Sequence, residues 1–157
     1  MNINRPISEI KTQPNIGNRI LAGIIDYSVI LALNFIYVYS VGEPNNEGGY
    51  TVSGWPALIP ILFWLIWIVG IEQIFNATIG NLIVGLKPIS KRGFNRELSF
   101  GQSLKRHLFD IIDMLFFGLI GIVIIQKTDK NQRVGDIWGE TIVIKKSEEY
   151  LTFANNG

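Results

Sequence analysis

Four carboxylates stand within otherwise apolar stretches of the chain: Asp26 in the first, Glu72 in the second, and Asp110 with Asp113 in the third. In hydrocarbon such a charge is costly, so it must face a bundle interior or a water-filled cavity and find a partner there. Two kinds of chemistry suit acids placed in this way. Clustered carboxylate oxygens bind hard cations, and a desolvated acid is suited to proton exchange. The competing explanation is a packing network, in which arginines neutralise the acids and fix the helices against one another.

The basic residues at hand are Arg19 and Arg106, which lie with His107 at the ends of apolar stretches. Arg19 and Asp26 are seven residues apart, nearly two helical turns, so they share a face about 10 Å apart along the axis. Ala22 and Gly23 lie on much the same side. Small residues beside an acid allow close backbone approach while the polar group reaches a partner, so this face is expected to point inward. Counted from the inner helix ends, Asp26 and Asp113 sit about 10 Å deep and Glu72 somewhat shallower. Asn34 and Gln73 add neutral hydrogen-bonding groups to the same helices.

The elements that must position these residues are apolar spans. Gly54 to Ile71 carries no charge over 18 residues, and Tyr27 to Gly42 none over 16, close to the roughly 20 that cross about 30 Å of hydrocarbon. With 48% hydrophobic residues and four Trp in 157, the pattern points away from a soluble protein. The expected fold is an all-α membrane protein, a small helical bundle of three apolar segments with a short β-like cytoplasmic element. A first helix is predicted from about Arg19 to Val41, and a second from about Trp55 to Phe75 with Pro56 in its first turn and Pro60 able to kink it. The third segment, Leu108 to Gln126, either crosses or turns back as a re-entrant element, because its uncharged part is short and contains Gly118 and Gly121. No cleavable signal is expected at the amino terminus, where polar residues precede the apolar run without a small-residue cleavage pattern.

Charge sets the expected orientation. The loop from Gly42 to Gly54 has Glu43 and Glu47 but no Lys or Arg, whereas the connection from Asn76 to His107 holds Lys87, Lys91, Arg92, Arg96, Lys105 and Arg106. Positive residues stay inside, so that connection and the amino terminus are assigned to the cytoplasm. Within it, Leu82 to Ile89 reads as a strand, Lys91 to Asn95 as a turn around Gly93, and Ser99 as a helix cap. Lys127, Lys130, Arg133, Lys145 and Lys146 follow the third segment. A simple three-span count would put them outside, against the same rule. Near the end, a short helix at Val134 to Trp138 and a strand at Thr141 to Ile144 are predicted. The chain therefore divides into a polar cytoplasmic lead (1–14), a membrane domain (15–145) and a tail (146–157) expected to be disordered.

An internal echo accompanies this organisation. Arg19-Ile-Leu-Ala-Gly-Ile-Ile-Asp26 aligns without gaps on Arg106-His-Leu-Phe-Asp-Ile-Ile-Asp113, and Ile79-Gly80-Asn81-Leu82 has a counterpart in Val134-Gly135-Asp136-Ile137. Either the chain contains a true repeat, as many transporter folds do, or an alphabet rich in apolar residues has agreed by chance.

Other chemistry is poorly served. The chain has no cysteine and a single histidine, which excludes disulfides, thiolate metal sites, a Cys nucleophile and any multi-histidine metal centre. It contains no phosphate-cradling glycine loop, no nucleophile elbow and no HExxH motif, so neither an enzyme nor a cofactor is expected. Asn76-Ala77-Thr78 is a formal glycosylation sequon beside the cytoplasmic face, where it would be idle. Basic residues are spread over juxtamembrane segments, so anionic lipid is a better partner than nucleic acid.

Taken together, the residues resemble the RDD family of membrane proteins, named for one arginine and two aspartates. Arg19 and Asp26 match the arginine and aspartate of its first helix, and Asp136, in Val134-Gly135-Asp136-Ile137-Trp138-Gly139-Glu140-Thr141-Ile142-Val143, matches the second aspartate. Thr78-Ile79-Gly80-Asn81 through Gly85-Leu86-Lys87 is similar to the family's central segment, with Asn81 where members often carry Lys and Gly135 where many carry His. The resemblance implies a bacterial cell membrane and, as a suggestion, transport of ions or small ligands. It also implies that Asp136 returns to the cytoplasmic end to meet Arg19. On this reading the candidate cargo is a monovalent cation or proton, and Asp26 is the exchanging carboxylate. Arg19 and Asp136 set its field, Glu72 and Asp113 are auxiliary ligands, and Arg106 belongs to the polar network. Three helices hardly enclose a pathway, so a homo-oligomer or a partner membrane protein is expected. The alternative is a non-transporting scaffold or accessory subunit whose polar layer only specifies packing.

Overall fold

The structure, a computed structural model, describes residues 10, 12–92, 97–110 and 119–147. Asp113, the turn around Gly93, and most of the lead and tail lie outside the described residues. Helix α1 spans Ile16–Val41; its 26 residues reach about 39 Å at 1.5 Å each, ample for a bilayer. It stops where Gly42 turns to extended backbone while still donating its N–H to the Val38 carbonyl. A small hairpin follows, with Glu43–Pro44 (β1) paired antiparallel to Tyr50–Thr51 (β2). Asn45 shapes its turn, because the side-chain oxygen accepts from the N–H groups of Glu47 and Gly49 at 3.0 and 2.8 Å.

Helix α2, Trp55–Phe75, returns antiparallel. It opens as a 3-10 turn with Pro56 in its first turn, runs as α-helix over Ile59–Trp64, widens into a π-helical turn at Leu65–Gly70 and closes as α-helix over Ile71–Phe75. Pro60 falls in the first turn of the α-helical part, and the irregularity lies one turn beyond it. The wide turn slips the helix face by about a residue, and Ile68, Val69 and Glu72 are all buried at this point. Elsewhere both helices turn their apolar side chains outward: Phe35 is 74% exposed and Trp55 85%. In either span only 17% of the most apolar window is buried within the chain, the reverse of a soluble core helix. Lipid is the solvent that such a surface suits.

Beyond α2 come a short helix α3 (Ile79–Ile83), capped by the Thr78 hydroxyl, and strand β3 (Leu86–Ser90). Helix α4 (Phe100–Leu108) starts with a full capping box between Ser99 and Gln102. Helices α5 (Leu119–Lys127) and α6 (Val134–Trp138) and strand β4 (Thr141–Lys145) complete the described chain. Among the described residues two helices, α1 and α2, are long and apolar enough to cross a membrane. The predicted third segment includes residues 111–118, outside the described residues; of the rest, Leu119–Lys127 is helical as α5.

Strands β3 and β4 pair antiparallel, from Leu86↔Lys145 to Ser90↔Thr141. Ile89, Ile142 and Ile144 pack there with Ile10. Lys130 Nζ donates to the Ile10 carbonyl at 2.9 Å, and Asn131 Nδ2 to that of Thr12 at 2.9 Å. The start of the chain, the connection after α2 and the segment after α5 therefore meet at one end of the α1–α2 pair, with the β1–β2 hairpin at the other.

This pairing gives the second part of the internal echo, Ile79–Leu82 against Val134–Ile137, a structural counterpart. Helix α3 and strand β3 begin at 79 and 86, and α6 and β4 at 134 and 141, the same shift of 55 residues with equal element lengths. The ladder maps onto itself under that shift, with Pro88 opposite Val143 at its centre. In each unit a glycine lets the short helix press on a longer one. A Cβ at Gly80 would stand 2.2 Å from the Ala22 carbonyl oxygen, and one at Gly135 would stand 2.1 Å from that of Arg106. Backbone cannot yield as a side-chain end can, so Gly135→Ala should destabilise the protein by about 1–3 kcal/mol, although Ala is ordinarily the better helix former. Thermal unfolding in detergent measures this. For topology, single cysteines replacing Lys91 and Lys146 should react with an impermeant maleimide from one side of the membrane, and one replacing Glu47 from the other.

Candidate functional site

The polar residues of α1, α2, α4 and α6 converge at the end of the bundle where the β3–β4 ladder lies. Helix α4 supplies most of them. Ser103, Arg106 and His107 recur at helical spacing and are all buried, so its inward face is polar, and buried Asp110 follows just past its end. Arg106, 1% exposed, bridges two acids: Nη1 lies 2.9 Å from Glu72 and Nε 3.1 Å from Asp136. Glu72 also accepts from the Ser103 hydroxyl and lies 3.2 Å from His107 Nε2. Both of its oxygens are thus engaged, and it is not open as the auxiliary ligand that the sequence suggested.

Asp136, fully buried in α6, collects the most cationic partners. Arg19 Nη1 reaches it at 3.0 Å, and the Arg133 backbone N–H donates to it at 3.1 Å. Burial by itself would raise its pKa, but Arg133, Arg106 and Arg19 hold the carboxyl well below the usual carboxylate range. The Arg19–Asp136 pair thus forms, tying the first helix to the penultimate element. Arg19 Nη2 also donates to the Asn131 carbonyl at 2.9 Å.

Asp110 receives the Tyr27 hydroxyl at 2.8 Å, His107 Nδ1 at 2.8 Å and Arg133 Nη1 at 3.1 Å. His107 therefore bridges Glu72 and Asp110 through its two ring nitrogens. Burial by itself would lower its pKa, yet the two flanking carboxylates prevail and raise it to about 9.

Asp26 is different. Its Oδ1 accepts the Gly80 N–H at 2.7 Å, at the first turn of α3, with the Thr78 side chain as a second partner. Although 5% exposed, it has no ion pair among the described residues. It also lines a cavity of about 40 Å³ of mixed character, bordered by Arg19, Tyr27, Asp110 and Arg133 as well as by Ala22, Ile68 and Val143.

Of the residues singled out from sequence, Arg19, Asp26, Glu72, Arg106 and Asp136 come together, whereas Asp113 lies outside the described residues. Asn34 donates to the Ile30 carbonyl of its own helix. Sequence reasoning placed His107 at the rim, named Asp110 as an embedded acid without giving it a role, and left Tyr27, Ser103 and Arg133 out of the site. The spacing 103, 106 and 107 on one helix was the signal for the α4 group. Nothing local marks Tyr27 or Arg133, whose roles depend on contacts made 83 and 23 residues away.

Two lipid-facing helices joined at one end by a buried layer of arginines and carboxylates define a class: helical membrane proteins with an internal ion-pair network. The model of the RDD family matches residues 13–140, and the chain belongs to that family. Comparison with curated proteins and with solved structures returns no match.

Removing one member of a buried pair leaves charge undercompensated, so Arg106→Ala, which takes from Glu72 its guanidinium partner and from Asp136 one of its arginines, should cost about 3–5 kcal/mol in detergent unfolding. The pH dependence has a definite sign. Because the folded value of His107 lies above the ordinary 6.5, its contribution is complete below that pH and is lost as pH rises through about 9. His107→Gln should flatten the fall in Tm across that window.

Proposed function

We propose that the protein exchanges a proton at Asp26 in cation- or proton-coupled transport, with the other buried acids serving structure. The observation that carries this reading is the contrast among the carboxylates. Glu72, Asp110 and Asp136 are each bonded to a guanidinium, while Asp26 has a backbone N–H and a cavity. Arg19, Arg106 and Arg133 balance those three acids in number, which leaves Asp26 and His107 as the members whose charge can change without leaving an arginine unmatched. About 10–15 Å³ admits one water, so a cavity of about 40 Å³ has room for a short hydrated path to the acid. Three nearby guanidinium groups favour a proton over a metal cation as the species exchanged there.

In this reading the amino terminus and the basic connection after α2 face the cytoplasm of a bacterial cell, as their positive charge favours. The third apolar segment turns back, which keeps Lys127, Lys130 and Arg133 on that same side. Two spans cannot enclose a pathway, so the working unit is a homo-oligomer or a complex with another membrane protein. The pairing of the other three acids supports the rival scaffold reading for those residues, and Asp26 separates the two. Asp26→Asn keeps the shape of the side chain and its capacity to accept from Gly80. In vesicles carrying a pH-sensitive dye, the unaltered protein should dissipate an imposed proton gradient and Asp26→Asn should not, with Tm close to that of the parent. Equal flux from both, or none from either, would favour the scaffold.

A further inference from the structure

Helix α4 is amphipathic the wrong way round for water. Its polar side chains Ser103, Arg106 and His107 face inward, at 0%, 1% and 5% exposure, while Phe100 and Leu108 stand outward at 53% and 49%. Half-buried Leu104 lies between them, so Phe100, Leu104 and Leu108 form one apolar line at four-residue spacing. Trp138 of α6, 46% exposed, adjoins it, with its ring edge-on to Phe109 at 4.8 Å. The one charge displayed on this side of α4 is positive: Lys105 Nζ sits 5.4 Å from the centroid of the Trp138 ring.

We infer that the outward face of α4, together with Trp138, is seated in an anionic lipid leaflet, so that α4 is an interfacial helix of the membrane rather than part of an aqueous loop. An apolar line exposed to water would be costly, at roughly 25 cal/mol per Å². Phe and Leu below with Trp and Lys beside them is the side-chain order of an interfacial helix, whose apolar face enters the acyl boundary while the amphipathic and cationic groups stay with the headgroups. Lys105 supplies the charge complementarity that selects anionic over zwitterionic headgroups. The assignment explains why the polar cluster stays dry from this side. The helix carrying Arg106 and His107 has lipid at its back.

The chain has no cysteine, so single spin labels can be attached through Phe100→Cys or Leu108→Cys, with Ile36→Cys as the lipid reference and Glu47→Cys as the aqueous one. In phosphatidylcholine–phosphatidylglycerol vesicles, the α4 labels should be as open to oxygen as Ile36 and several-fold less open to a water-soluble nickel chelate than Glu47. Nickel accessibility equal to that at Glu47 would overturn the inference. Protection from both reagents would also overturn it, because another protein would then cover the face. In detergent, added phosphatidylglycerol should raise Tm more than phosphatidylcholine does, and Lys105→Gln should remove that difference. Equal effects of the two lipids on the unaltered protein would overturn the anionic preference.

Discussion

Arg106 is the hinge of the whole arrangement. Its guanidinium, buried to 1% exposure, holds Glu72 of the second span with one nitrogen and Asp136 of the short helix α6 with another. Without it Glu72 would keep only His107 and Ser103, and Asp136 would depend on Arg19 and Arg133, in an interior where charge must be compensated. In turn, the charge of Arg106 is tolerable only because both acids are there. The close approach of α6 to α4 exists to serve this contact: Gly135 and Gly139 bring the α6 backbone against Arg106, with no room for a Cβ at either position. The position of the strand pair then follows, since β4 starts two residues after Gly139.

From this anchor the polar layer extends outward by shared partners. Asp136 brings in Arg19, His107 links Glu72 to Asp110, and Asp110 brings in Tyr27. Every described element that contributes is thereby tied to at least one other through a charged hydrogen bond, the stronger kind. Asp26 attaches to the same layer without an ion pair among the described residues, through the Gly80 N–H and the Thr78 side chain at the start of α3. It thereby positions α3.

Local rules made much of this legible beforehand. The apolar runs gave both ends of α2, and gave the end of α1, whose start lies three residues before the predicted Arg19. Ser99 marked the start of α4, and the β-branched run Thr141 to Ile144 gave β4. The β1–β2 hairpin escaped notice because its strands are two residues each, too short for any periodicity, and its turn is made by one asparagine side chain. In the site, residue type could mark which acids were buried but not how each was compensated. Asp26 and Glu72 look alike in sequence, and only the arrival of α3 at one and α4 at the other makes the first a helix-anchoring carboxylate and the second an ion-pair member. The third apolar segment was ambiguous for a related reason. Its length permits two paths and its middle lies outside the described residues; the pairing of β4 with β3 shows where the chain after α5 arrives.

The bond between Arg19 and Asp136 joins residues 117 positions apart. During synthesis the first helix is therefore complete long before its counter-ion exists, and α4 likewise waits for α6. Until that late acid emerges, Arg19 in α1 and Arg106 in α4 both lack it as a partner, and a guanidinium that hydrocarbon will not accept unpaired is held by water or headgroup phosphates at the membrane surface. The final depth of the first helix therefore depends on a residue near the other end of the described chain.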